Sequence, residues 1–220
     1  MIPQGVTFDI GGIIYSDDVF KRAIFGALEE IAGNIDAQKF ESVYNEHLKS
    51  QSGSLRSKLC VEFLGSLDSK EELMKRATAK WIFTENDLYA DAKNCIETMR
   101  STGCKIGIVA NQARTVVQAL ERDSIAQLVD FLGVSAVVGI EKPDPAIFKL
   151  ALNELGTAPE QTVHVGNRLD TDVLPAQKLG MCTAWILRGE ANPDPTDADL
   201  KTPDIVLPSL VGIPEAIAAL

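Results

Sequence analysis

The chain has 220 residues, of which 45% are hydrophobic and 24% are charged. This composition provides enough apolar material for one packed domain with a modest insert, and it excludes disorder as the main state. The formal net charge of -10 argues against nucleic acid as a partner, because proteins that bind the phosphate backbone need a basic surface. No apolar run approaches the ~20 residues of a spanning helix, and residues 1–14 read as a strand and its loop instead of a secretion signal. We therefore expect a soluble, cytoplasmic protein with no membrane partner.

The N-terminal residues predict a buried strand followed by a helical segment. Residues 5–10 are mostly apolar and lead into the pair Gly11 and Gly12, which places Asp9 at the carboxyl end of the strand. From Asp17 to about Phe83, apolar residues recur three and four positions apart, as expected for helices. Turn and N-cap residues divide this stretch into about four helices. We assign residues 17–87 to a separate helical domain.

After Leu88 the pattern alternates between strands and helices. Strands are predicted at 105–110, 136–138, 162–165, 183–187 and 204–207, and helices near 90–101, 114–121, 145–155, 172–179 and 209–219. Alternation of this kind predicts an α/β fold, with a Rossmann-like, doubly wound parallel sheet built from residues 1–16 and 88–220. Ligands of such sheets bind beyond the carboxyl ends of the strands. We expect Asp9, Ala110, Gly166 and the loop before Lys142 to face one crevice.

Four segments carry the polar residues that follow these strands. They are Phe8-Asp9-Ile10-Gly11-Gly12, Ile108-Val109-Ala110-Asn111, Glu141-Lys142-Pro143-Asp144-Pro145 and Val165-Gly166-Asn167-Arg168-Leu169-Asp170-Thr171-Asp172. In this order they resemble the four motifs of the haloacid dehalogenase superfamily, and the resemblance covers almost the entire chain. It implies that the helical domain at 17–87 is an inserted cap, and that the protein is a hydrolase acting on a small anionic metabolite.

The resemblance also implies roles for individual residues. Asp9 is expected to be the nucleophile, since a carboxylate at an exposed strand end can attack phosphorus or carbon. Lys142 is expected to neutralise the nucleophile and the phosphate, and Asn111 is the third expected catalytic residue, donating from its amide. The expected substrate contacts are Gly12, Ala110, Asn111, Arg114 and, from the cap, Arg56.

Magnesium is the cofactor that the resemblance implies, because Mg²⁺ prefers hard oxygen ligands. Its expected site consists of Asp9, the backbone carbonyl of Gly11, Asn167 and, in support, Asp172. Three positions depart from the family pattern. Gly11 replaces the second aspartate, which acts as proton donor, Ala110 replaces a Ser or Thr, and Asn167 replaces an aspartate. Two negative charges are therefore missing from the cleft, which predicts weaker metal binding.

The two histidines and the aromatic residues near the cap hinge have simpler expected roles. His164 is expected to be a core histidine bonded to a neighbouring carbonyl, and His47 is expected to be exposed on a cap helix. Trp81 is expected to pack at the hinge. With only two histidines, a Ser-His-Asp triad has little support, and the chemistry is expected to depend on carboxylates, amides, lysine and metal.

Three functions are consistent with these observations. The first is a Mg²⁺-assisted phosphatase of a small phosphorylated metabolite that forms an aspartyl-phosphate at Asp9. The second is a catalytically degenerate domain of the same fold that binds an anion or a protein partner, because the altered polar positions all fall in one site. The third is a metal-independent 2-haloacid dehalogenase, whose family members also lack the second acid and the metal-binding aspartate. The substrate and the oligomeric state are not specified by the sequence.

Overall fold

Six parallel strands form one sheet in the computed structural model, which describes residues 3–220. They are β1 (Gly5–Phe8), β2 (Lys105–Ala110), β3 (Phe131–Val134), β4 (Thr162–Gly166), β5 (Cys182–Ile186) and β6 (Ile205–Leu207). Their spatial order is β3-β2-β1-β4-β5-β6, so the order reverses at β1, between β2 and β4. Open α/β sheets bind ligands at such a reversal. The predicted doubly wound α/β fold is confirmed.

Helices cover the sheet and fill the segment between its first two strands. Four helices lie between β1 and β2: α1 (Asp18–Ala32), α2 (Ala37–Ser50), α3 (Leu55–Leu64) and α4 (Lys70–Lys80). The others in the described chain are α5 (Ala92–Ser101), α6 (Val116–Arg122), α7 (Ser135–Val138), α8 (Pro145–Leu155), α9 (Leu174–Lys178), α10 (Asp197–Leu200) and α11 (Ile213–Ala218). None of the helices within residues 3–220 is both long and apolar enough to cross a membrane.

The segment 17–87, here called the helical insert, is packed around its own apolar side chains. Helix α1 buries Phe20, Ile24 and Leu28, as its three-and-four spacing predicts. The rings of Phe25 and Phe40 meet edge to face with centroids 5.0 Å apart, which joins α1 to α2. That the insert is a separate domain with boundaries at 17 and 87 stays a prediction.

The two chain segments that connect the insert to the sheet run side by side. Tyr89 donates its backbone N–H to Ile14 over 2.9 Å, and Ser16 donates to Asp87 over 2.8 Å. Because the first of these segments begins directly after β1, the insert lies next to the strand end that carries Asp9.

One predicted strand is wrong. Residues 136–138 belong to helix α7, and the strand that pairs with β2 is the preceding segment, Phe131–Val134. Both segments are short apolar runs, which hydrophobic pattern alone does not assign to helix or strand. Gly133 allows close strand pairing, since a Cβ at this position would lie 2.6 Å from the Ile108 carbonyl oxygen. Several other elements are shorter than predicted: β1 ends at Phe8, a π-helical turn at Leu169–Val173 precedes α9, and α11 begins at Ile213.

Two glycine-to-alanine replacements test this packing in opposite directions. Gly133→Ala is expected to lower the free energy of unfolding by about 1–3 kcal/mol, because the added methyl group meets a backbone oxygen that cannot move independently. Gly26→Ala, inside α1, is expected to raise it by about 0.5–1 kcal/mol, because alanine favours helix and the neighbouring Lys80 side chain can shift. Urea denaturation measures both changes. Equal stability of Gly133→Ala and the wild type would contradict the strand assignment.

Candidate active site

A cavity of about 620 Å³ lies beyond the carboxyl ends of β1, β2 and β4. Its floor is formed by core residues that include Asp9, Asn111, Lys142 and Asn167. Its opposite wall comes from the helical insert and includes the side chains of Phe20, His47, Gln51, Arg56 and Trp81. Of the four positions expected to face one crevice, Asp9 and the loop before Lys142 line this cavity, whereas Ala110 and Gly166 are represented by the residues that follow them, Asn111 and Asn167.

At the base of the cavity, two carboxylates share one ammonium group. Lys142 Nζ lies 2.8 Å from Asp9 Oδ1 and 2.5 Å from Asp172 Oδ1, and all three residues are buried. Burial raises the pKa of the Asp9 carboxyl to about 6, although Lys142 opposes the rise. Burial alone would lower the pKa of Lys142, but Asp172 and Asp9 outweigh it and raise that pKa. At neutral pH, Asp9 is thus mostly ionised and paired with a charged lysine.

Asp172 serves as the fixed counter-ion of this group. Its Oδ2 accepts hydrogen bonds from the backbone N–H groups of Asn167 and Arg168, over 3.2 and 3.0 Å, and its Oδ1 contacts Lys142 and His164. Burial tends to raise the pKa of Asp172, but Lys142 and His164 outweigh it and hold the pKa well below its usual range. Both oxygens are engaged, so Asp172 orients Lys142 and is placed behind the cavity wall. It is not positioned as a direct metal ligand.

His164 lies in the core beneath Asp172. Its Nδ1 is 2.9 Å from the Thr7 hydroxyl, and its Nε2 is 3.4 Å from Asp172 Oδ1. Burial lowers the pKa of the imidazole, so the ring is neutral at pH 7. The partners are a hydroxyl and a carboxylate, instead of the backbone carbonyl that the sequence suggested.

Asn111 holds the backbone of Lys142. Its Nδ2 donates to the Lys142 carbonyl over 2.8 Å, and its Oδ1 accepts from the Lys142 N–H over 2.7 Å. Because both ends of the amide are used in this way, the geometry gives Asn111 a positioning role. The amide nitrogen keeps a second hydrogen and Asn111 lines the cavity, so donation to a substrate oxygen stays a prediction.

A carboxylate that the sequence reading did not single out enters the site beside Asn167. Asp17 Oδ2 accepts hydrogen bonds from Asn167 Nδ2 over 2.9 Å and from the Glu190 N–H over 2.7 Å. Burial, followed by the like charges of Glu190 and Asp9, raises the pKa of Asp17 well above its usual range. Asp17 lines the same cavity as Asp9, and the sequence offered only its place at the start of the insert as a signal.

Arg188, also missed from sequence, fixes the loop that follows Asp9. Its guanidinium donates to the carbonyl oxygens of Gly12 and Ile13, each over 2.6 Å, and pairs with Asp91 over 2.8 Å. It also stacks over the Tyr89 ring, 3.8 Å from the centroid. These contacts hold the Gly12 and Ile13 backbone in one position.

Of the other residues predicted to contact the substrate, only Arg56 lines the cavity. Its guanidinium lies over the rings of Phe20 and Trp81 and 3.7 Å from Glu141 Oε1. Arg114 is exposed and donates to the Ala136 carbonyl, so it lies outside the cavity lining. Ala110 is fully buried in β2, and Gly12 lies behind Asp17 and Asn167; neither belongs to the lining.

The wall contributed by the insert is connected to the sheet by polar contacts. Gln51 donates to the Glu190 carbonyl over 3.0 Å and accepts from the Leu169 N–H over 3.1 Å, and Tyr44 donates to the Glu190 carboxylate. The expectation that His47 is exposed is wrong, because only 3% of its surface is accessible. Burial, with Arg168 nearby, lowers the pKa of His47 to about 4. Trp81 packs against Phe20 and lines the cavity, and its role at the hinge stays a prediction.

The donor atoms in the cleft suit Mg²⁺, which binds oxygen and needs only one or two carboxylates when water and phosphate complete its shell. Asp9, the Gly11 carbonyl and Asn167 are available. Asn167 commits its amide nitrogen to Asp17 and the Arg188 carbonyl, and within residues 3–220 its Oδ1 accepts no hydrogen bond. No group of three His, Cys, Asp or Glu side chains arranged for metal binding occurs in the described chain; the set of donors is mixed.

Comparisons with known proteins show the family of the chain. A family model described as a haloacid dehalogenase-like hydrolase matches residues 3–180, and the chain therefore belongs to that family. The glyceraldehyde 3-phosphate phosphatase of Methanocaldococcus jannaschii is 28% identical to it over 199 residues, which cover 85% of this chain and 86% of the relative. The phosphoserine phosphatase of Thermus thermophilus is 28% identical over 204 residues, covering 84% and 80%.

Solved structures support the fold. The structure of a predicted phosphoglycolate phosphatase from Haemophilus somnus superposes with a TM-score of 0.78 at 18% identity, and the match covers 98% of each chain. The described residues thus share the fold of that protein.

The raised pKa of Asp9 predicts how its replacement changes stability with pH. In the folded wild type the pKa of the Asp9 carboxyl is about 6, against 3.8 for an unperturbed aspartate. The protonated carboxyl is therefore favoured by folding, and the free energy of unfolding falls as the pH rises from about 3.8 to about 6. Asn does not titrate. Between pH 5 and pH 8 the free energy of unfolding of the wild type is therefore expected to fall by about 1 kcal/mol relative to that of Asp9→Asn. Urea denaturation of both proteins in EDTA at several pH values measures the two free energies of unfolding. A difference between them that does not change with pH would contradict the raised pKa of Asp9.

Proposed function

We propose that the protein is a Mg²⁺-assisted phosphatase that hydrolyses a small phosphorylated metabolite through an aspartyl-phosphate at Asp9. The observation that carries the proposal is the Asp9 carboxyl group, 2.8 Å from Lys142 in a cavity large enough for a metabolite. Relatives named as phosphatases, aligned over most of both chains, support the same activity.

The proposed reaction has two steps that use the residues of the cleft. Asp9 attacks phosphorus, the bond from phosphorus to the ester oxygen breaks, and the leaving oxygen keeps the bonding electrons and takes a proton from water. Water then attacks the aspartyl-phosphate, which releases inorganic phosphate and restores the carboxylate. Lys142 stabilises negative charge on the phosphoryl oxygens throughout, as a fixed cation in a low-dielectric site. Mg²⁺, when bound, neutralises further charge on the same oxygens.

The absence of a carboxyl side chain at position 11 restricts the first step. A positioned general acid contributes about 10²- to 10⁴-fold to rate, and Gly11 has no side chain to donate a proton. Esters whose leaving group is weakly basic need little proton donation. An aryl phosphate such as p-nitrophenyl phosphate is therefore the substrate on which weak turnover is easiest to detect.

The experiment is a hydrolysis screen with Mg²⁺ on p-nitrophenyl phosphate, glyceraldehyde 3-phosphate and phosphoserine. We expect phosphate release by the wild type, a loss of about 10³-fold or more in Asp9→Asn because the nucleophile is removed, and unchanged activity in Asp18→Asn. Asp18 is an exposed aspartate in the first turn of α1 and provides a matched control for the loss of one carboxylate.

Three outcomes would count against the proposal. Hydrolysis that persists in Asp9→Asn would exclude the covalent route. Phosphate binding by calorimetry without any turnover would indicate a binding protein of the same fold. Chloride release from a 2-haloacid in EDTA, dependent on Asp9, would indicate the dehalogenase instead.

A further inference from the structure

Asp17 stands at the N-cap position of α1 but does not cap the helix. Aspartate at this position normally accepts a hydrogen bond from a backbone N–H of the first turn, which stabilises a helix by ~1 kcal/mol. The Asp17 side chain makes no such bond. Instead it turns away from its helix and toward the carboxyl ends of β1 and β4, where Asn167 and the Glu190 N–H bind its Oδ2.

Three glycines leave the space that the Asp17 carboxylate occupies. A Cβ at Gly11 would lie 2.1 Å from Asp17 Oδ1, and a Cβ at Gly189 would lie 2.2 Å from Asp17 Oδ2. A Cβ at Gly12 would lie 2.8 Å from Asp17 Oδ2. The carboxylate therefore sits where a side chain at position 11 would begin, in space available only because glycine is present there.

The orientation of the carboxylate leaves one oxygen available. Oδ2 accepts both hydrogen bonds, whereas Oδ1 accepts none from residues 3–220 and faces Gly11. Asp17, Asp9 and Asn167 line the same cavity. A carboxyl group, which is missing at positions 11 and 167, is thus supplied by a residue from the beginning of the insert.

We infer that Asp17 is a ligand of the divalent cation, supplying through Oδ1 the second carboxylate of a site that it shares with Asp9, the Gly11 carbonyl and Asn167. The inference rests on the proposed Mg²⁺-assisted function. Two carboxylates and neutral oxygens form a donor set typical of Mg²⁺. The site retains a second acidic ligand even though the family's metal-binding aspartate is Asn167.

Metal binding by the resting protein tests this assignment. Mn²⁺, used as a probe for Mg²⁺, is titrated into wild type, Asp17→Asn and Asp18→Asn, and free Mn²⁺ is followed by its electron paramagnetic resonance signal. We expect Asp17→Asn to lose affinity by at least about tenfold, a change that even an outer-shell partner of a metal can produce. Asp18→Asn, which removes a neighbouring exposed carboxylate, is expected to bind Mn²⁺ as the wild type does.

Affinity of Asp17→Asn within about twofold of wild type would overturn the inference, and so would an equal loss in Asp18→Asn or no binding by the wild type. Because no substrate is present, a protein that binds Mn²⁺ through Asp17 but hydrolyses no ester would contradict the proposed function and leave this inference intact. Should Asp17→Asn fail to fold, crystals of the wild type soaked in Mn²⁺ decide the matter. An anomalous peak about 2.1 Å from Asp17 Oδ1 supports the inference, and a peak beyond reach of Asp17 overturns it.

Discussion

The site depends on one buried ammonium group held between two carboxylates. Lys142 contacts both Asp9 and Asp172 at salt-bridge distance, and removal of one partner from a buried ion pair typically costs about 3–5 kcal/mol. The surrounding structure keeps this group together: Asn111 fixes the Lys142 backbone, and two backbone N–H groups fix Asp172. Asp9 and Lys142 thereby line the cavity, and Asp172 lies behind them.

The distribution of charge in the cleft differs from what the motifs alone indicate. Read as motifs, the chain lacks carboxylates at positions 11 and 167 and retains its lysine. The structure adds Asp17, held by Asn167 in space left by Gly11. The departures at positions 11 and 167 are thus connected with the placement of Asp17, because the glycine provides the room and the asparagine provides a hydrogen bond to the carboxylate.

The elements that depend on local sequence pattern could be predicted from the sequence, and the side-chain positions that depend on contacts between distant parts of the chain could not. The spans of β2 and α8 match the predicted 105–110 and 145–155, because a continuous apolar strand and a Pro-started amphipathic helix are local signals. Strand β3 was misplaced because pairing with β2, and not its own pattern, determines it. Arg188 and Asp17 were missed because their partners lie far away in the chain, and His47 is buried by contacts between insert and sheet that no single segment encodes.

A crystal structure with Mg²⁺ and fluoroberyllate tests most directly whether Asp9 and Lys142 form one reaction centre. Fluoroberyllate bonds to a carboxylate and mimics an aspartyl-phosphate. We expect beryllium bonded to an oxygen of Asp9, with Lys142 Nζ donating a hydrogen bond to a fluoride. Fluoroberyllate bound elsewhere in the cavity, with Asp9 unmodified and still paired with Lys142, would contradict it.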